Sequence, residues 1–127
     1  MLTIKDVCEK FGITADTLRY YEKVGAIPKV GRSSGGIREY DDEALSWVQN
    51  AVCLRKAGVS VEAIAEYVRL FNMGDGTIKD RLDLLLSERE ALGKQLSELT
   101  EAANLLDWKI SRYREAVETG VLDWNKK

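Results

Sequence analysis

Histidine does not occur in this 127-residue chain, proline occurs once and cysteine twice. Without imidazole the commonest general base and a common metal ligand are both missing, and no nucleophile sits in a recognisable catalytic motif. The length leaves room for one small domain and an extension, not for a large catalytic core. An enzyme is therefore not expected, and neither is a bound cofactor or metal. Cys8 and Cys53 fall on predicted helices without the spacing of a metal clip and are read as reduced thiols. No apolar run approaches the length of a membrane span, and MLTIKDVCEK lacks the apolar stretch of a signal peptide, which places the chain in the cytoplasm with no membrane partner. Charge of one sign is not in excess either: the net charge is −2, and residues 1–56 carry nine Lys or Arg against eight Asp or Glu. So even a balance neither supports nor excludes a nucleic-acid partner, and the local placement of the cations is what informs.

Periodicity and turn chemistry are what the chain does have. In IKDVCEKFGIT, Ile4, Val7, Cys8 and Phe11 recur at helical spacing before Gly12 interrupts them. Thr14 then caps a second short helix, TLRYYEKV, which Gly25 terminates and Pro28 prevents from resuming. Two short helices joined by a tight turn make a helix-turn-helix. Leu18 and Tyr21 turn one edge of the second helix inward, leaving Asp16, Thr17, Arg19, Tyr20 and Lys23 as an outer surface suited to a nucleic acid. Tyr21 is either a spacer against the core or a phosphate donor.

Gly31, Ser33, Ser34, Gly35 and Gly36 form a turn between two extended arms, a β-hairpin or wing over Lys29–Tyr40 in which Arg38 and Tyr40 share a face. Asp41 or Asp42 caps a third helix that ends at Gly58. Ser60 caps a fourth, with Val61, Ile64, Ala65, Val68 and Phe71 on its inner side. Residues 1–71 thus form one domain and 72–76 a linker. From Thr77 a heptad sets in, with Leu82, Arg89, Leu96, Ala103, Ile110 and Val117 at one seam position and Ile78, Leu85, Leu92, Leu99, Leu106 and Tyr113 at the other. A proline-free stripe of more than five heptads over 77–118 calls for a partner helix, most simply a second copy of the chain in a symmetric homodimer. Gly120 ends the helix, and 119–127 forms a tail that Val121, Leu122 and Trp124 could dock.

The order of these parts, with TLRYYEKVGAIP, GGIREYDDEAL and RKAGVSVEAI, resembles the MerR family of bacterial transcription regulators over residues 1 to about 118. The resemblance implies a mainly α fold: a winged helix-turn-helix domain followed by a long antiparallel coiled-coil dimerisation helix. It implies two recognition helices in successive major grooves of an inverted repeat in double-stranded promoter DNA, with the wings on flanking backbone. Such a dimer bends and undertwists an overlong promoter spacer, and so acts on RNA polymerase indirectly. Carried over by position, Thr17, Arg19, Tyr20, Tyr21 and Lys23 would lie at the groove, Arg38 on the wing and Arg55 at the end of the third helix on backbone, and Lys5 on a further phosphate.

The effector is the open part. No cysteine follows Cys53, which disfavours the metal sensors of the family, and the chain given ends at Lys127, so the appended ligand domain of the multidrug sensors is not expected. Cys53 in CLRKAG resembles the single cysteine of the subgroup that answers reactive aldehydes and related electrophiles, a role that needs a thiolate. The plainer reading is that Cys53 packs, as Cys8 does between Val7 and Phe11. Two further readings stay open: a small ligand held between the fourth helix and the partner's coiled coil, in a pocket lined by Trp47, Tyr67, Phe71 and Trp108, and a coiled-coil adaptor that binds another protein.

Overall fold

The structure is a computed structural model describing residues 1–125. Its helices are α1 (Ile4–Phe11), α2 (Ala15–Val24), α3 (Asp42–Lys56), α4 (Val61–Asn72) and α5 (Ile78–Thr119), and no strand occurs among the described residues. The caps follow from side-chain chemistry at each start. The Thr14 hydroxyl accepts the Thr17 N–H at 3.1 Å, Asp41 accepts the Ala44 N–H at 2.8 Å, and Ser60 accepts the Ala63 N–H at 3.1 Å, each satisfying a backbone donor that a helix start leaves free. Gly25 closes α2 in the left-handed region, φ 83°, where a side chain would be strained. At the start of α1 the capping is reciprocal: the Thr3 hydroxyl accepts the Asp6 N–H while the Asp6 carboxylate accepts the Thr3 N–H. The T-x-x-D spacing of Thr3 and Asp6 is its signal in the sequence.

One hydrophobic core joins α1 to α4, built on Val7, Leu18, Tyr21, Ile27, Tyr40, Val48, Ala51 and Ile64. Cys8 is half-buried against it, as expected. The inner face of α4 ends differently from the expectation: Leu70 is buried and Phe71 is 43% exposed. The reason is the corner that follows. Residues 72–76, read as a linker, bend tightly at Gly74 (φ 92°) into a single 3₁₀ turn, Asp75–Thr77. The buried Thr77 hydroxyl donates to the carbonyl oxygens of Leu70 and Gly74, at 2.6 and 2.8 Å, and accepts from Arg81 Nε at 3.1 Å. That corner covers Leu70 and leaves the Phe71 ring to meet Trp47 edge-on, with centroids 5.0 Å apart.

The wing has a turn without arms of strand. Ser33 N–H donates to the Ile37 carbonyl at 2.7 Å and Glu39 N–H to that of Gly31 at 2.9 Å, and Arg32 and Arg38 form one antiparallel bridge. At its root Tyr40 exchanges backbone hydrogen bonds with Leu2, at 3.0 and 2.9 Å, so the N-terminal residues pair with the returning arm. Arg38 and Tyr40 do not share a working face, because Tyr40 is a core residue and Arg38 turns to α2.

The chain divides into two compact units, Met1–Glu88 and Arg89–Lys127. In the second, Leu96, Leu99, Leu106, Ile110 and Val117 of the heptad seam are exposed. Gly120 closes α5 with φ 79°, and the tail docks through Trp124, whose ring lies 5.4 Å from Trp108 and 5.7 Å from Tyr113. Among the described residues no helix is long and apolar enough to cross a membrane.

Candidate nucleic-acid interface

The helical period of α2 sorts its side chains as the spacing required. Leu18 is fully buried and Tyr21 is 8% exposed, while Asp16, Arg19, Tyr20 and Lys23 face outward. The Tyr21 ring is a member of the core three residues after Leu18. Thr17 is half-buried and its hydroxyl accepts from Thr14 at 2.9 Å, within the cap of the helix. Arg19 lies 3.2 Å from Asp16 in a pair with both side chains well exposed, too solvated to hold the guanidinium against a stronger anion.

Between α2 and the wing lies an open trough of about 390 Å³ lined by Arg19, Glu22, Lys23, Lys29, Val30, Arg32 and Arg38. Five cations thus face one carboxylate, an arrangement that attracts a polyanion although the whole chain is slightly acidic. Lys29 and Arg32 belong to the outgoing side of the wing, and it is the folding of the wing toward α2 that brings them to this surface. The single carboxylate is Glu22, which no local pattern in the sequence marks, because its partners lie 8 and 16 residues further along the chain. Its Oε1 accepts from Arg38 Nε at 2.8 Å and its Oε2 from the Val30 N–H at 3.0 Å. Its side chain is only 12% exposed and that of Arg38 25%. Burial pushes the Glu22 carboxyl up, but the Val30 N–H and the Arg38 guanidinium, with help from Arg32, outweigh it and hold it below the ordinary value of 4.5. What the tie adds to stability is thus complete above that ordinary value and fades as pH falls through the folded one. A charge-assisted bond so far out of solvent is worth roughly 1.5–3 kcal/mol.

The remaining sequence-derived candidates lie apart from the trough's lining. Lys5 is exposed in the first turn of α1. Arg55 is exposed, and its Nη1 donates to the Val59 carbonyl at 2.8 Å, bracing the turn from α3 into α4. Cys53 is exposed in the single chain, and on α3 it is Val48, Ala51 and Val52 that turn inward. Within the first unit Trp47 meets Tyr67 and Phe71, and within the second Trp108 meets Trp124.

A sequence model of the MerR HTH family regulatory proteins matches residues 2–70. Among characterised sequences, the HTH-type transcriptional regulator AdhR of Bacillus subtilis strain 168 is 48% identical over 91 residues, which is 72% of this chain and 65% of that protein. The chain thus aligns with slightly less than two thirds of that relative. A crystal structure of a Listeria monocytogenes protein assigned to the MerR family superposes with a TM-score of 0.88 at 38% identity, covering 94% of this chain and 91% of the other. The crystal structure of HiNmlR, a MerR family regulator lacking the sensor domain, bound to promoter DNA, superposes with a TM-score of 0.80 at 35% identity, covering 94% and 95%.

Proposed function

Since the chain belongs to the MerR family of helix-turn-helix regulatory proteins, we propose that it is a transcriptional regulator that binds promoter DNA as a homodimer and distorts the spacer to control transcription. It is a regulator and not an enzyme, and its place of work is the cytoplasm, where the chromosome is. The observation that carries this reading is the cationic trough between α2 and the wing. DNA binding is assigned to residues 1–71, with 72–76 as the joint, dimerisation to 77–118, and the tail to 119–127. In the groove, Arg19 reads a base edge or a phosphate, with Thr17, Tyr20 and Lys23 beside it. Lys29, Arg32 and Arg38 neutralise backbone phosphates, and Lys5 and Arg55 reach flanking ones. Polymerase feels the dimer through the shape of the DNA, whose deformation the protein pays for with these contacts.

The test uses the full chain and the duplex it enriches from a randomised pool. Affinity is expected to fall by about 10³-fold or more between roughly 50 and 200 mM salt, as phosphate counterions return, and the enriched sequence is expected to be an inverted repeat. An adaptor that works through its coiled coil would enrich no duplex and show a flat salt response.

A second reading, the response to electrophiles, is favoured by the exposed thiol of Cys53. As thiolate, its sulfur adds to an aldehyde carbon, the carbonyl π bond breaks, and the oxygen takes a proton from water to give a hemithioacetal. Brief treatment with methylglyoxal is expected to add one adduct, mapped by mass spectrometry to Cys53 ahead of the half-buried Cys8, and Cys53→Ser is expected to abolish induction by aldehyde in cells. Intact induction in Cys53→Ser would end this reading.

A further inference from the structure

Resting on the DNA-binding reading, the geometry points to Glu22 as a positioning residue that locks the wing to the recognition helix and aims Arg38 at the DNA backbone. Glu22 stands on α2, whereas Val30 and Arg38 stand on the outgoing and returning arms of the wing. One carboxylate therefore ties both arms to the helix. The wing has no strand ladder to set its own angle, since its arms share a single bridge, Arg32 to Arg38. Below the tie, Tyr40 is buried to 1% exposure, which anchors the end of the returning arm two residues after Arg38.

The chemistry of the trough makes the choice of residue telling. A surface built only to attract phosphates gains nothing from a carboxylate among Arg19, Lys23, Lys29, Arg32 and Arg38. Glu22 occupies Nε of Arg38 and leaves Nη1 and Nη2 without a partner among the described residues, so the guanidinium is held by one edge and presents the other. A planar fork oriented in advance loses less freedom on meeting a phosphate than a mobile one.

The experiment measures salt-dependent affinity of the full chain for its enriched duplex, with Glu22→Gln, Arg38→Ala, Arg38→Lys and the double variant Glu22→Gln/Arg38→Ala. Glutamine still accepts the Val30 N–H, but its amide cannot also reproduce the carboxylate's pairing with Arg38. Glu22→Gln is expected to bind about tenfold more weakly, the loss of one charge-assisted bond, and its salt slope to shrink by about one phosphate contact. The same substitution is expected to change nothing in the Arg38→Ala background. Arg38→Lys, which keeps the charge without the fork, is expected to match the Glu22→Gln loss, and it serves if Arg38→Ala fails to fold. Unchanged or tighter binding by Glu22→Gln would mean that Arg38 leaves Glu22 for the phosphate, and it would overturn the role. An equal loss in both backgrounds would reduce Glu22 to general support of the fold and overturn it too. A wild-type chain that enriches no duplex would overturn the DNA-binding reading itself, and this role with it.

Discussion

Arg19→Ala is expected to lower affinity for the enriched duplex by about 10- to 100-fold and to relax the sequence preference at one position of each half-site, the signature of a lost bidentate contact. The fold should not notice. The Arg19 side chain is 49% exposed, contributes nothing to the core, and its partner Asp16 is almost wholly in solvent. The thermal midpoint of the variant is expected to match that of the wild type, so any loss of binding comes from the interface. A uniform loss over all sequences, with a shallower salt slope, would assign Arg19 to a phosphate instead of a base. An unchanged affinity would remove α2 from the groove and leave the trough without its recognition role.

The second large effect concerns the seam. Leu99→Glu together with Leu106→Glu is expected to turn a dimer into a monomer at micromolar concentration, measured by sedimentation, and to weaken DNA binding about 100-fold or more, because the two half-sites are no longer held at high effective concentration. Leu99 is 68% and Leu106 59% exposed in the single chain, so each offers a leucine's worth of apolar surface to a partner and supports little within its own chain. Leu105 is the control. It is also exposed, at 54%, yet the heptad sets it on the side away from the seam, and Leu105→Glu is expected to leave the dimer intact. If Leu105→Glu dissociated the dimer and the seam variant did not, the register would be wrong.

The sequence by itself determined what depends on local rules. Thr14 and Gly25 bound α2 because a helix start needs an acceptor and its end needs a left-handed residue, and both requirements are met within a few residues of chain. The alternation of Leu18 and Tyr21 with Arg19, Tyr20 and Lys23 set the inner and outer faces of that helix, and the heptad after Thr77 announced a long helix with one apolar stripe. Membership of the family was legible for the same reason, since its motifs are these local rules in a particular order.

Tertiary structure decided what depends on residues far apart in the chain meeting. No periodicity pairs Leu2 with Tyr40, and no spacing rule turns Arg38 toward Glu22, sixteen residues earlier, or gathers Lys29 and Arg32 beside Arg19. The exchange of Phe71 for Leu70 at the end of α4 has the same origin: the corner at Gly74 and the buried Thr77 hydroxyl choose which side of the helix is covered. A helical period says only which residues share a face. Which face is buried, and which charges become neighbours, is settled by where the chain turns back, and there a single hydroxyl or carboxylate outweighs the local pattern.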